Sequence, residues 1–197
     1  MIRAVAFDVM DTLLADPFRD ALWAATGLTL AELAERRPRD AHPAFERGEL
    51  TEPEYWAAFR GAGIEVDPAV YHRVRRAGTV WLDGMDELLD DLAGRVVRVA
   101  ATNYPVWVEE LAEHHLDGRV ELVVSSHQLG VRKPDAGFYS GLLEAVGLPA
   151  SQVLFVDDRQ VNVVGAEAVG VRSHRFADAG AVRAWLADQG VLDDASR

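Results

Sequence analysis

The stretch that most limits what this chain can fold into lies near its start: a run from Ile2 to Phe7, apolar but for Arg3, stopped by Asp8. A strand with one wet face alternates apolar and polar residues, whereas a strand covered on both faces reads as a near-continuous apolar run. The run therefore predicts a central strand of a parallel sheet, whose crossover connections lay helices over both faces. Open sheets of that kind bind ligands in the crevice beyond the carboxyl ends of their strands. Asp8 stands at such an end.

The rest of the pattern falls into a helical block and an alternating block. Phe18, Leu22 and Ala25 share one helix face, with Gly27 as a stop. Thr29 to Arg36 reads as a second helix closed by Pro38. Thr51-Glu52-Pro53-Glu54 has capping-box spacing ahead of Tyr55, Trp56 and Phe59. Asp67-Pro68 opens another helix. Residues 16–78 are thus expected to form an all-helical cap, inserted into a core made of residues 1–15 and 79–197. Within the core, the stripe Met85, Leu88, Leu89 and Leu92 marks a helix. Strands are expected at Val96–Ala101, Val120–Val124, Val153–Val156 and Val171–His174. Further helices are expected through Trp107 and Leu111, from Pro134 to Val146, from Asn162 to Val169, and through Val182 and Leu186. Ser125 to Lys133 reads as a loop, and the tail after Leu192 as loose. The fold class implied is α/β, a Rossmann-like parallel sheet in three layers with a helical insertion.

The charge balance narrows the partners. A formal charge of −12, from 20 basic and 32 acidic residues, disfavours a nucleic-acid binder and means that an anionic substrate needs a local cation. The absence of cysteine excludes disulfides, thiolate catalysis and cysteine-based zinc sites. No basic segment followed by a long apolar run precedes Asp8, so neither a signal peptide nor a membrane span is expected, and the expected location is cytoplasmic.

Four polar motifs follow predicted strands in order: Asp8…Thr12, Thr102-Asn103, Lys133-Pro134-Asp135 and Asp157-Asp158. Singly each is commonplace: a helix cap, a turn, a helix start, a solvated acidic pair. Together they resemble the haloacid dehalogenase-like (HAD) hydrolase superfamily over essentially the whole chain. The segment from Val131 through Asp158 to Ala166, with Arg47-Gly48-Glu49-Leu50-Thr51 in the cap, is similar to one group within it. That group contains bacterial glucose-1-phosphate phosphatases and the N-terminal phosphatase domain of soluble epoxide hydrolases.

The resemblance implies a magnesium-dependent phosphatase acting on a small anionic phosphate ester. Asp8 would attack phosphorus and carry an aspartyl-phosphate. Magnesium, which wants hard oxygen ligands, would be held by Asp8, the Met10 carbonyl and Asp158, with Asp157 acting through water. The Thr102 hydroxyl, the Asn103 backbone N–H and Lys133, the only lysine in the chain, would hold the oxygens not under attack. Phosphoryl transfer needs such fixed cations and donors because its transition-state charge is spread over equatorial oxygens.

The sequence departs from the family pattern in one place. The motif's second aspartate, which protonates the leaving oxygen and then activates water, is Met10 here, and Asp11 sits one residue late. General acid–base help of this kind is worth ~100- to 10,000-fold, and a thioether supplies none. Two other readings therefore stand beside the phosphatase. One is a haloacid dehalogenase-type hydrolase without metal, since halide departure needs no proton. The other is a catalytically impaired anion-binding protein of the same fold. The paired Asp157-Asp158 favours a metal site, which dehalogenases do not use. A phosphonoacetaldehyde hydrolase is excluded, because the cap holds no lysine for its Schiff base. Elsewhere, His114-His115 is expected on a solvated helix face, and Trp56, Phe59 and Trp81 as cap and hinge core rather than substrate platforms.

Overall fold

The structure is a computed structural model and describes residues 1–193; the last part of the expected loose tail lies outside the described residues. Five parallel strands form one sheet: β1 (Ala4–Phe7), β2 (Val97–Thr102), β3 (Leu122–Ser125), β4 (Val153–Asp157) and β5 (Arg172–Arg175). Their spatial order is β3-β2-β1-β4-β5, so the first strand is central, with Phe7 in register between Ala100 and Val156. All four β1 residues are fully buried. Burial on both faces is the physical reason that Ala4 to Phe7 are all apolar.

Helices supply those two faces. They are α1 (Phe18–Thr26), α2 (Leu30–Arg36), α3 (Ala41–Glu46), α4 (Glu52–Gly61), α5 (Pro68–Gly78) and α6 (Met85–Leu92) before the second strand. After it come α7 (Val108–Leu111), α8 (Ser126–Leu129), α9 (Ala136–Val146), α10 (Gln160–Ala168) and α11 (Ala179–Asp188). Val5 and Phe7 pack into a layer with Met85, Leu88 and Leu89 of α6 and Val182 and Leu186 of α11. Ala4 and Ala6, facing the other way, pack with Phe138, Tyr139 and Leu142 of α9 and Ala166 of α10. The strand's period of two thus divides one short sequence between two cores.

Helices α1–α5 lie between β1 and α6 with no strand among them. Two capping boxes start helices in this insertion: Thr29 with Glu32 on α2, and Thr51 with Glu54 on α4. Two helices differ from expectation. α3 has no long apolar period to announce it, and its Pro43 is tolerated because it sits in the first turn. α8 replaces the expected loop; Ser125 caps it by accepting the Gln128 N–H while Gln128 reaches back, a box only one turn long. β3 begins two residues later than expected and runs on through Ser125. After α7 the backbone widens into a π turn, Ala112–Leu116, which leaves His114 exposed with Nδ1 against the Glu110 carbonyl.

Two linkers join the insertion to the sheet, and they pair with each other. Leu14 bridges Trp81 in antiparallel fashion, the Ala15 N–H donates to the Val80 carbonyl, and the Leu82 N–H donates to the Leu13 carbonyl. Pro17 then packs so closely on Gly78 that a β-carbon there would lie 2.6 Å from the proline ring. A polar clasp adds to this on the far side. Glu52 accepts N–H bonds from Trp56 and from Trp107, and pairs with His72 at 2.6 Å. Arg75 lies over the Trp107 ring and donates to Glu110, which Arg76 also meets. Trp56 and Phe59 are buried in this aromatic cluster and Trp81 is half-buried at the linker. No helix among the described residues is long and apolar enough to cross a membrane.

Candidate active site

Asp8 follows the last residue of β1, with its N–H donated to the Val156 carbonyl, so the sheet itself fixes it. Thr102 ends β2, Asp157 ends β4, and Lys133 comes from the turn before α9. These ends converge at one edge of the sheet, beneath the helical insertion. A cavity of about 420 Å³ lies there, lined by Asp8, Met10, Thr102, Asn103, Lys133 and Asp158 from the core side. Asp16, Phe18, Arg37, His42, Glu46 and Tyr71 line it from the linker and insertion. Of the seven residues singled out from sequence, six reach this cavity. Asp157 sits directly behind it, fully buried.

Lys133 is the centre of the cluster. Its ammonium, 1 % exposed, donates to Asp8 Oδ1 at 2.7 Å, to Asp157 Oδ2 at 2.7 Å and to the Ala101 carbonyl at 2.8 Å. Burial by itself would lower the lysine's pKa; the charges of Asp8 and Asp157 overcome that and hold it above its usual value. For Asp8 burial is also the largest influence and pushes the carboxyl up, opposed by Lys133 and reinforced by Asp157.

Asp157 and Asp158 differ although they are neighbours. The Asp157 carboxylate accepts from the Arg159 N–H, from Asn162 Nδ2 and from Lys133, which leaves it little capacity for a ligand. Asp158 faces the cavity half-buried, and its carboxylate accepts no hydrogen bond among the described residues. Burial, then Asp157, then Asp11 raise its pKa to about 6.

The carboxylates of Asp8, Asp157 and Asp158 each offer an oxygen within 4.8 Å of the others. Three carboxylates against one buried ammonium leave two negative charges, and hard oxygen donors carrying that surplus suit a divalent cation such as magnesium. The donor set therefore fits the metal that the sequence implied. An anion is fitted as well: Thr102 lines the cavity, and its buried hydroxyl has no hydrogen-bond partner among the described residues. Thr12 is buried with an equally unpartnered hydroxyl but does not line the cavity.

Asn103 works through its side chain as well as its place in the chain. Its amide donates to the Lys133 carbonyl at 3.0 Å and accepts the Lys133 N–H at 2.8 Å, stapling the two motifs together. Gly165 of α10 allows the same turn to sit close, since a β-carbon would lie 2.6 Å from the Pro134 carbonyl oxygen.

Met10 lies in the loop after β1, half-buried against the apolar core. Asp11 does not take its place. Its backbone is left-handed, φ 58°, and its Oδ1 accepts the Asp16 N–H at 3.1 Å. Another cavity acid, Glu46 of α3, is buried and paired with Arg132 at 2.7 Å and with His42 at 3.4 Å. Ser126 ties this helix to the site by donating to the Glu46 carbonyl and accepting the Tyr104 N–H. Sequence reasoning missed Asp16, Glu46 and Arg132. Arg132 was adjacent to a motif, but only the fold brings Glu46 across to it.

A parallel α/β sheet carries a carboxylate cluster and a buried lysine at the carboxyl ends of its strands. The chain belongs to the haloacid dehalogenase-like hydrolase family, whose family model matches residues 2–170. It is 33 % identical over 187 residues to a flavin mononucleotide hydrolase of Arabidopsis thaliana, covering 94 % of this chain and 76 % of that protein. It is 30 % identical over 151 residues to a sesquiterpene phosphatase of Aspergillus oryzae, covering 66 % of this chain and 76 % of the relative. Its fold is similar to that of a HAD family enzyme from Bacteroides thetaiotaomicron in complex with magnesium and inorganic phosphate. The TM-score is 0.72 at 16 % identity, over 90 % of this chain and 96 % of the other.

Proposed function

We propose that this hydrolase is a magnesium-dependent phosphatase that cleaves a small phosphate monoester through an aspartyl-phosphate on Asp8. The observation that carries the reading is the bridge from Lys133 to Asp8 and Asp157, with Asp158 open beside it and an unpartnered Thr102 hydroxyl facing the same cavity. A nucleophilic carboxylate, a fixed cation and a spare donor are the parts that phosphoryl transfer uses.

In this mechanism Lys133, the Thr102 hydroxyl and the Asn103 N–H hold the oxygens not under attack. An oxygen of Asp8 bonds phosphorus as the bond to the leaving alcohol breaks. Water then attacks the same phosphorus, releasing phosphate and restoring the carboxylate. Asp8, Asp158 and the Met10 carbonyl would hold magnesium, which offsets phosphoryl charge when bound. Asp157 keeps Lys133 in place and pointed at Asp8. We take residues 16–78 as the cap that closes over the substrate, because its side chains form one wall of the cavity. The similarity to the flavin mononucleotide hydrolase makes flavin mononucleotide the first ester to try. The acid trio and its surplus charge weigh against the metal-free dehalogenase.

The test is turnover of flavin mononucleotide, an alkyl phosphate, an aryl phosphate and a 2-haloacid, with magnesium and with it chelated. Magnesium-dependent phosphate release that disappears in Asp8→Asn is the expected result. Haloacid turnover insensitive to chelation, or ester turnover that survives Asp8→Asn, would refute the assignment.

A further inference from the structure

We propose that Asp16, on the linker into the helical insertion, supplies the proton that Met10 cannot. Its carboxylic acid protonates the leaving alcohol oxygen, and its carboxylate then takes a proton from the attacking water. The inference rests on the phosphatase reading and adds to it the missing acid and base.

Five carboxylates line the cavity, and four are committed elsewhere. Asp8 is the nucleophile, bonded to Lys133. Asp158 belongs to the acid trio that fits a cation. Glu46 is held by Arg132 and His42. Asp11 is turned to the linker, where its Oδ1 takes the Asp16 N–H. Asp16 is left. Its Oδ1 accepts the Phe18 N–H at 2.9 Å, and its other oxygen accepts no hydrogen bond and meets no cation among the described residues.

Its position is fixed rather than loose. The preceding residue is paired across to Val80, the following Pro17 is lodged against Gly78, and the Asp11 side chain holds its own N–H. The side chain keeps surface open to solvent, and that surface borders the cavity. The charged and titratable groups around it come from each neighbouring element. They are Asp11 in the loop after β1, Arg19 on α1, His42 on α3, Tyr71 on α5 and Tyr104 after β2. Surrounding protein is the largest influence and pushes the carboxyl above its usual value, opposed first by the Phe18 N–H, with Asp11 adding and His42 and Arg19 opposing. A carboxyl shifted that way is better suited to donate a proton near neutral pH.

The balance closes in two steps. In the first, the Asp8 oxygen–phosphorus bond forms, the phosphorus–alkoxide bond breaks and the Asp16 proton goes to the alkoxide. In the second, the water oxygen bonds phosphorus, its proton goes to Asp16, and the bond to Asp8 breaks. Ester and water become alcohol and phosphate, with both carboxyls restored.

Asp16→Asn separates this role from capping, because the amide oxygen can still accept the Phe18 N–H. Steady-state and rapid-quench kinetics on wild type and variant should use one alkyl and one aryl phosphate. Alkyl turnover is expected to fall at least ~100-fold. The aryl ester, which leaves without a proton, should still give a burst of one equivalent per site, followed by slow release. The fall of wild-type alkyl turnover towards high pH should be absent in the variant. Asp16→Ser, which keeps an acceptor but no acid, should match Asn, and unchanged thermal unfolding shows that both are folded. An unchanged alkyl-to-aryl ratio with Asp8-dependent turnover intact overturns the role of Asp16 alone. Absence of Asp8-dependent turnover of either ester in wild type overturns the phosphatase reading, and this inference with it.

Discussion

Replacing Lys133 by Met tests whether one ammonium balances the buried acids. The substitution keeps length and apolar bulk but removes three hydrogen bonds, to Asp8, Asp157 and the Ala101 carbonyl. The two carboxylates do not lose equally. Asp157 retains the Arg159 N–H and Asn162, whereas Asp8 loses its only side-chain donor among the described residues. Removing one partner of a buried ion pair costs about 3–5 kcal/mol. For a chain of this size that corresponds to a fall of ~6–20 °C in Tm.

The pH dependence has a definite sign. Without the ammonium, burial and Asp157 raise the Asp8 carboxyl against only the Val9 N–H, the weakest influence on it, so its folded pKa lies above the unfolded value. Below the unfolded value both states hold the proton and the penalty is small. As pH rises, the unfolded chain releases its proton first and the variant loses further stability. Urea unfolding in chelator at pH ~5 and ~8 should therefore show the larger deficit at the higher pH. Adding Asp8→Asn should recover most of that deficit. A loss under ~1 kcal/mol at the higher pH, equal losses at both, or no recovery by Asp8→Asn would refute the reasoning.

Other outcomes follow from the same contacts. Magnesium at about one hundred times its dissociation constant should stabilise wild type by ~2.7 kcal/mol, a gain that thermal unfolding should find mostly lost in Asp158→Asn. Gly165→Ala drives a methyl into the Pro134 carbonyl, 2.6 Å away. It should cost about 1–3 kcal/mol in urea unfolding and weaken phosphate binding, since the same turn carries Lys133. Met10→Asp placed in the Asp16→Asn background should restore alkyl phosphate turnover by at least ~10-fold, read as initial rates of phosphate release.

The three central strands β1, β2 and β4 were legible because they are almost wholly buried, which writes burial directly into residue type. Ile2 to Phe7 is the clearest case, and the stripe from Met85 to Leu92 is its helical counterpart, with all four apolar residues fully buried. Elements defined by contact across the chain were not legible. α3 is six residues long and is held by packing and by Ser126, eighty residues away. α8 is a single capped turn. Strand-end motifs gave Asp8, Thr102, Lys133 and Asp158 because a parallel sheet gathers its carboxyl ends wherever the connections run. Asp16 and Glu46 sit on the insertion side, where no periodicity says which residues face the cavity. Spacing also offered no sign that Asp157 is taken up by Asn162 and Lys133, while its neighbour stays open.

Met10 shows how one loop can lose a chemical group and keep its shape. The carbonyl at this position is set by the backbone, and the bridge between Met10 and Leu14 secures it whatever the side chain. The side chain itself packs against the apolar core. A methionine at this place therefore changes the side chain without disturbing the backbone carbonyl. Asp11 could serve as a proton carrier only by leaving the linker, since its carboxylate holds the Asp16 N–H. The same hydrogen bond joins the loop to the linker at Asp16, and the paired linkers join Asp16 to the insertion. Asp16 is thereby held where the loop carrying Met10 meets the insertion that walls the cavity.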